Sequence, residues 1–231
     1  MQTTSSLGKT ELVTNNGANK LKYVYPFYDR NNYFTLKRQI DHDGFRIATM
    51  QETVSIVHNA YVVEQETELE GKFAAEIKKM LRTIYTSSRN LIIPNQGIEI
   101  FPESLLPQRL ISRIGELNQS ELEEVLNTLE QNQNLITFVE FGFKTGELDS
   151  SEALATHPYT LGFGKDTAEK LVQIAQKQNI KRPWMGVYPN FEKPLITIPG
   201  IGSGEIYGAR LDIIAYHTGL SLNGHAFAVI D

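Results

Sequence analysis

The 231-residue chain contains no cysteine. That excludes disulfides, thiolate catalysis and cysteine-based zinc sites. Basic residues are sparse as well, with neighbours such as Lys78-Lys79 and Lys181-Arg182 never growing into a run, and the net charge is -5. A nucleic-acid binder would show the opposite balance. No stretch approaches the roughly 18 apolar residues of a membrane span. Met1 to Lys20 is rich in Thr, Ser, Asn and Gly and lacks the apolar segment of a secretory signal, which leaves the cellular location open. The sharpest shortage is local. Lys, Glu, Gln, Met and Trp make up 50 of the first 205 residues, yet none occurs in the last 26, where about 6 would be expected by proportion. Strands disfavour Lys and Glu, which accounts for part of this.

What is present fits a globular protein. Hydrophobic residues make up 41% and charged residues 21% of the chain, enough for one large domain. Residues 1–20 read as a flexible N-terminal tail and 21–231 as a single domain. One or two short strands are expected over Lys22 to Phe34. A helix is expected over Thr49 to Val63, with Thr49 and Glu52 spaced as a capping box. Leu69 to Tyr85 repeats its apolar residues at three and four and reads as the clearest helix. Leu91 to Phe101 reads as a strand pair around the turn Asn95-Gln96-Gly97. Further helices are expected over Ser120 to Glu130, as a short segment ending at Ala155, and over Ala168 to Lys177, with a strand over Leu135 to Phe143.

From Pro183 onward the helical period disappears. Short strands are expected over Trp184 to Tyr188, Leu195 to Ile198, Arg210 to Tyr216 and Ala226 to Ile230. Helices in the first three quarters and an antiparallel sheet at the C-terminus make the class α+β.

Motifs of catalysis and cofactor binding are incomplete. Gly162-Phe163-Gly164-Lys165-Asp166-Thr167 lacks a P-loop's spacing and places Asp where the phosphate would sit, so it reads as a capped turn. Gly200-Ile201-Gly202-Ser203-Gly204 has no βαβ unit around it and reads as a flexible connection. Asp41-His42-Asp43 precedes Gly44 and reads as a turn, with a weak option on Ca²⁺. His42, His58, His157, His217 and His225 show no helical zinc spacing. No cofactor and no metal are therefore expected. The enzyme alternative is a hydrolase using carboxylates near Asp41, Asp43 and Glu52, which would have to converge in a pocket. A structural subunit would need a large self-complementary apolar patch.

The C-terminal strand Arg210 to Tyr216 carries a different signal. Leu211, Ile213 and Ala215 fall on one face, and Arg210, Asp212, Ile214 and Tyr216 on the other. One face is core. The other offers the aromatic and polar groups used in recognition.

Three segments resemble the variable proteins of archaeal diversity-generating retroelements: Asp43-Gly44-Phe45-Arg46-Ile47-Ala48-Thr49-Met50-Gln51-Glu52, Phe138-Val139-Glu140-Phe141-Gly142-Phe143-Lys144-Thr145-Gly146-Glu147, and Arg210-Leu211 with Ala226-Phe227-Ala228-Val229. The resemblance implies a C-type-lectin-like fold and a variable region over about 184–231. In such systems mutagenic copying at adenines turns Asn codons into codons that cannot encode Lys, Glu, Gln, Met or Trp, the five types missing after Glu205. It further implies that Tyr207, Asp212, Ile214, Tyr216, His217, Thr218, Asn223 and His225, with Tyr188 and Asn190, are exposed ligand-binding positions. Arg210, Leu211, Ala226, Phe227 and Val229 then belong to the scaffold. The expected partner is a macromolecular or cell-surface ligand, bound by a monomer that neither spans a membrane nor holds nucleic acid.

Overall fold

The capping box expected at Thr49 starts a helix as the spacing requires. The Thr49 hydroxyl accepts from the Glu52 amide at 3.3 Å, and the Glu52 carboxylate accepts from the Thr49 amide at 2.8 Å. Two amides that a helix end leaves without partners are thereby satisfied. The computed structural model describes residues 2–6, 9–16, 19–25, 27–62, 68–81, 83–187, 190–203, 211–215 and 224–230.

Strands β1 (Gln2–Ser6), β2 (Lys9–Asn16), β3 (Asn19–Tyr25) and β4 (Tyr28–Asn31) come first. Helix α1 (Tyr33–His42), β5 (Arg46–Ile47), α2 (Met50–Tyr61) and α3 (Glu68–Met80) follow. Then come β6 (Ile84–Tyr85), the hairpin of β7 (Ser88–Ile93) and β8 (Gly97–Pro102), β9 (Gly115–Glu116) and α4 (Gln119–Glu130). Beyond these lie β10 (Thr137–Glu140), β11 (Gly146–Glu147), the short helices α5 (Ala153–Thr156) and α6 (Pro158–Leu161), and α7 (Lys165–Lys177). The chain closes through β12 (Trp184–Gly186), β13 (Leu195–Thr197), β14 (Gly200–Ser203), β15 (Leu211–Ile214), β16 (Gly224–Ala226) and β17 (Ala228–Ile230).

These strands form three sheets, in the orders β1-β2-β3-β17-β5, β10-β8-β7-β13-β9 and β11-β12-β15-β14-β6-β16-β4. The third sheet is mixed: β12 joins β15 and β16 joins β6 in parallel, while β14 joins β15 and β6 antiparallel. The main core gathers Val54, Val57, Phe73 and Ile77 of α2 and α3 with Met185, Ile201 and Ile213 of this sheet. A second core sets Tyr33, Leu36 and Ile40 of α1 against Tyr85 and Ala226. A third packs Val125 and Leu129 of α4 on Leu91 and Ile196.

Several expectations are corrected. Lys9–Asn16 is not a tail: it pairs along β3, and Leu12 is fully buried in the main core. Its Thr-rich sequence suits a strand as well as it suits disorder. Tyr33–His42 is helical where a strand was expected at its start. The Asn32 side chain accepts from the Thr35 amide at 2.9 Å and outweighs the aromatic preference of Tyr33 and Phe34 for strands. Helix α4 starts at Gln119 rather than Ser120, because Asn118 caps it in a capping box with Glu121. Gly200–Ser203 is a central strand rather than a flexible connection. A Cβ on Gly200 would sit 2.8 Å from the Ile84 carbonyl, so this glycine allows close approach of the two backbones.

Candidate functional site

Four consecutive positions of β15 set the geometry of the C-terminal face. Leu211 and Ile213 are fully buried, whereas Asp212 and Ile214, which alternate with them, are partly exposed. This is the alternation a half-buried strand requires. Neighbouring strands extend it into cross-strand rows. Met185, Ile213, Ile201 and Ile84 form one row and face α2 and α3. The next row runs Gly186, Ile214, Gly200 and Tyr85, and a further one runs Trp184, Asp212 and Gly202. Among the described residues the cross-strand neighbours of Ile214 are Gly186 and Gly200, and those of Asp212 are Trp184 and Gly202.

The end of β15 is clamped. The Ala215 carbonyl accepts from Asn90 Nδ2 at 2.8 Å and from Thr197 Oγ1 at 2.6 Å, and the Ala215 amide donates to the Gly186 carbonyl at 3.0 Å. Asn90 and Thr197 are fully buried on β7 and β13, and Asn90 also donates to Tyr159 Oη at 2.9 Å. Burial pushes the Tyr159 phenol well above its ordinary range, so the ring stays neutral in this network. The carbonyl from which the chain enters 216–223 is thus fixed to a second sheet. Sequence reasoning missed this clamp. Its only signal is that the polar stretch Thr86 to Asn90 runs directly into the apolar Leu91-Ile92-Ile93.

Not every expected site residue is at the surface. Asp212 and Ile214 are on the outward side of β15, and Asn190 is exposed. His225 is only 4% exposed, against the expectation of an open position. Its register partner is Ile84, which puts it in the inward row beside α3. There it lines a cleft of about 490 Å³ with Tyr25, Tyr28, Arg30, Glu76 and Lys79, where Tyr25 Oη donates to Glu76 Oε1 at 2.9 Å. Tyr188, Tyr207, Tyr216, His217, Thr218 and Asn223 lie outside the described residues, as does Arg210. Of the other scaffold positions, Leu211, Ala226, Phe227 and Val229 are buried, and the Phe227 carbonyl accepts from the Ala48 amide at 2.8 Å.

The carboxylates of the hydrolase alternative serve separate structural ends. Asp41 pairs with Lys37 at 3.0 Å, and Asp43 accepts from Tyr28 Oη at 2.5 Å. Arg46 grips Glu52 through two bonds of 2.7 Å. Burial pushes the Glu52 carboxyl up, but Arg46 and the Thr49 amide outweigh it and hold the group below the usual carboxylate range. A carboxylate so fully engaged is poorly placed to move protons. Among the described residues no cluster of three His, Cys, Asp or Glu is arranged to hold a metal ion, and no helix is long and apolar enough to cross a membrane. The Gly162–Thr167 segment is not a side-chain-capped turn: Gly162 and Phe163 make the turn, Gly164 at φ 98° is the N-cap without a side-chain cap, and Lys165–Thr167 begin α7.

No protein-family profile matches the chain, and no curated protein is similar to it in sequence. One solved structure is similar in fold: a protein from work on how the C-type lectin fold accommodates massive sequence variation in Nanoarchaeota. The match covers 89% of this chain and 99% of that one, with a TM-score of 0.55 and 11% sequence identity. Mixed α+β elements around a C-terminal sheet, matched over nearly the whole length, make this a C-type lectin fold.

Proposed function

We propose that the chain is a recognition protein whose C-terminal positions vary in sequence while the frame beneath them stays constant. The observation that carries this reading is the split of β15: Leu211 and Ile213 are sealed in the core, Asp212 and Ile214 stand outward among glycines, and Ala215 is clamped by Asn90 and Thr197. Exchange at the outward positions leaves the packed row untouched, the arrangement by which antibody loops change ligand without unfolding their frame. The structurally similar nanoarchaeal protein is described as accommodating massive sequence variation, which supports the same use here. The missing Lys, Glu, Gln, Met and Trp after Glu205 fit codons diversified at adenines.

On this reading the variable region is about 184–231. The contact positions are Asp212, Ile214 and Asn190, and the proposed variable set also includes Tyr188, Tyr207, Tyr216, His217, Thr218 and Asn223. The ligand is a protein or another cell-surface macromolecule, and the role is binding rather than catalysis. His225 is the weakest member of the set, because its burial ties any substitution there to packing against α3.

A display library tests this directly. Codons for 188, 190, 207, 212, 214, 216–218 and 223 are randomised to the fifteen-residue set that adenine mutagenesis allows, and folded clones are counted by resistance to protease. Most clones should remain folded, while a matched library at 211, 213, 226, 227 and 229 should lose nearly all of them. Equal losses in the two libraries would end the proposal. A second, independent check is genomic: a near-copy of these codons differing only at adenines, close to a reverse-transcriptase gene.

A further inference from the structure

A second surface lies at the edge of the second sheet, on elements outside the variable region. Strand β10 is an outer strand and, among the described residues, pairs only with β8. Phe141 donates its amide to the Gln96 carbonyl at 3.0 Å, which fixes the phase of the ladder. Val139 and Thr137, two and four residues earlier, then bond to β8, and the N–H and C=O groups of Phe138 and Glu140 point to the free side. Among the described residues no backbone hydrogen bond uses those groups.

Along that free side runs a shallow groove of about 670 Å³. Its wall is the continuous stretch 137–143, and Pro158 and Leu161 of α6 lie opposite. An edge strand facing a helix across a groove is the arrangement that receives an added strand. The surface is also unusually apolar for an edge: Phe138 is 52% and Leu161 40% exposed. Phe138 lies over Gly97, where a Cβ would come within 2.7 Å of its ring.

Charge identifies the class of occupant. Phe138 and Glu99 are register partners, so they share one face of the sheet with Glu140, two residues along. Glu99 and Glu130 of α4 line a smaller hollow of about 300 Å³ on that face, together with Phe138. Among the described residues none of Glu99, Glu130 and Glu140 is in an ion pair, and one Glu99 carboxyl oxygen is buried without a hydrogen-bond partner. Burial and, after it, the nearby Glu130 carboxylate raise the Glu99 carboxyl above the usual range. A cation brought to this hollow would relieve both effects.

We propose that the free edge of β10 binds an extended segment of a partner protein by strand addition, and that the segment alternates Lys or Arg with apolar side chains. The backbone of the segment would pair with Phe138 and Glu140. Its basic side chains would meet Glu140, Glu99 and Glu130 on one face, and its apolar side chains would meet Leu161 and Pro158 on the other.

The test uses the full chain and capped eight-residue peptides that alternate Lys or Arg with Val, Leu or Phe. Controls replace the basic residues by Glu, or methylate alternate backbone amides. Binding is read by NMR, following the amides of residues 137–143. Basic peptides should bind at least tenfold more tightly than acidic ones, lose binding on methylation, and shift the Phe138 and Glu140 amides most. Glu140→Lys should weaken binding at least fivefold with an unchanged melting temperature, and Phe138→Ser should weaken it at least fivefold in a chain that still unfolds in one cooperative transition. The proposal is overturned if no basic peptide binds at millimolar concentration, if acidic peptides bind as well, or if the shifts fall elsewhere. It is overturned equally if sedimentation shows a second copy of the chain on this edge and Glu140→Lys dissociates that dimer.

Discussion

The two halves of the third sheet use the same cross-strand row in opposite ways. Beneath α1, the row carries Tyr85 and Ala226, both fully buried in a cluster with Tyr33, Leu36 and Ile40. The rings of Tyr33 and Tyr85 meet edge to face with centroids 5.8 Å apart, and the buried Arg89 guanidinium lies 4.7 Å over the Tyr33 ring while pairing with Glu103. Away from α1, the row passes to Gly200, Ile214 and Gly186. One half is filled by aromatic volume and a paired charge. The other is kept small so that a single side chain stands out. The lesson is that tolerance to substitution is set by what crosses the row, not by which strand a residue belongs to.

The largest effect is expected beneath α1. Tyr85→Ala removes a fully buried ring and leaves its cavity against Tyr33, at a cost of about 3–5 kcal/mol. Chemical denaturation with a single transition measures it. A cost under about 1 kcal/mol would erase the contrast between the halves. Next comes the inward row of the open half. Ile213→Ala should cost about 2–4 kcal/mol, because Ile213 is fully buried in the main core even though its strand neighbour is exposed.

The glycines sharpen the comparison at smaller scale. Gly200→Ala would place its methyl 2.8 Å from the Ile84 carbonyl, a backbone atom that cannot turn aside. We expect a loss of about 1–3 kcal/mol, the usual range for overpacking. In Gly186→Ala the nearest atoms are 3.6 Å away, ordinary contact. That change should alter stability by about 0.5 kcal/mol or less. Melting temperatures of the pair, measured side by side, decide whether glycine in this row is demanded by packing at both positions or only at Gly200.

How much of this was legible in the sequence follows from the range of the forces. The Thr49 and Asn95 signals act within a few residues: the capping box forms, and Asn95 adopts φ 61° in the turn between β7 and β8. The β15 alternation was readable for the same reason. The clamp on Ala215 was not, because Asn90, Thr197 and Ala215 are brought together only by three strands distant in sequence. His225 misled because the family resemblance implied an exposed position, whereas pairing with Ile84 turns it inward. Gly200-Ile201-Gly202 misled because glycine was read as a breaker, when its spacing of two marks one face of a strand.

The smallest expected effect is the one on which the recognition reading turns. Asp212→Ala, Ile214→Ala and Ile214→Asn should each cost about 1 kcal/mol or less, since these side chains are partly exposed and their row neighbours are mostly glycine. Ile214→Asn is the stringent case. In a buried strand an apolar-to-amide exchange leaves an amide without partners and costs several kcal/mol. On an open face water satisfies it. Denaturant midpoints for Ile214→Asn and Ile213→Asn should therefore differ by more than those of any other adjacent pair in β15. If the two variants unfold together, the outward face is core in function as well as in name, and a surface free to vary cannot be built there.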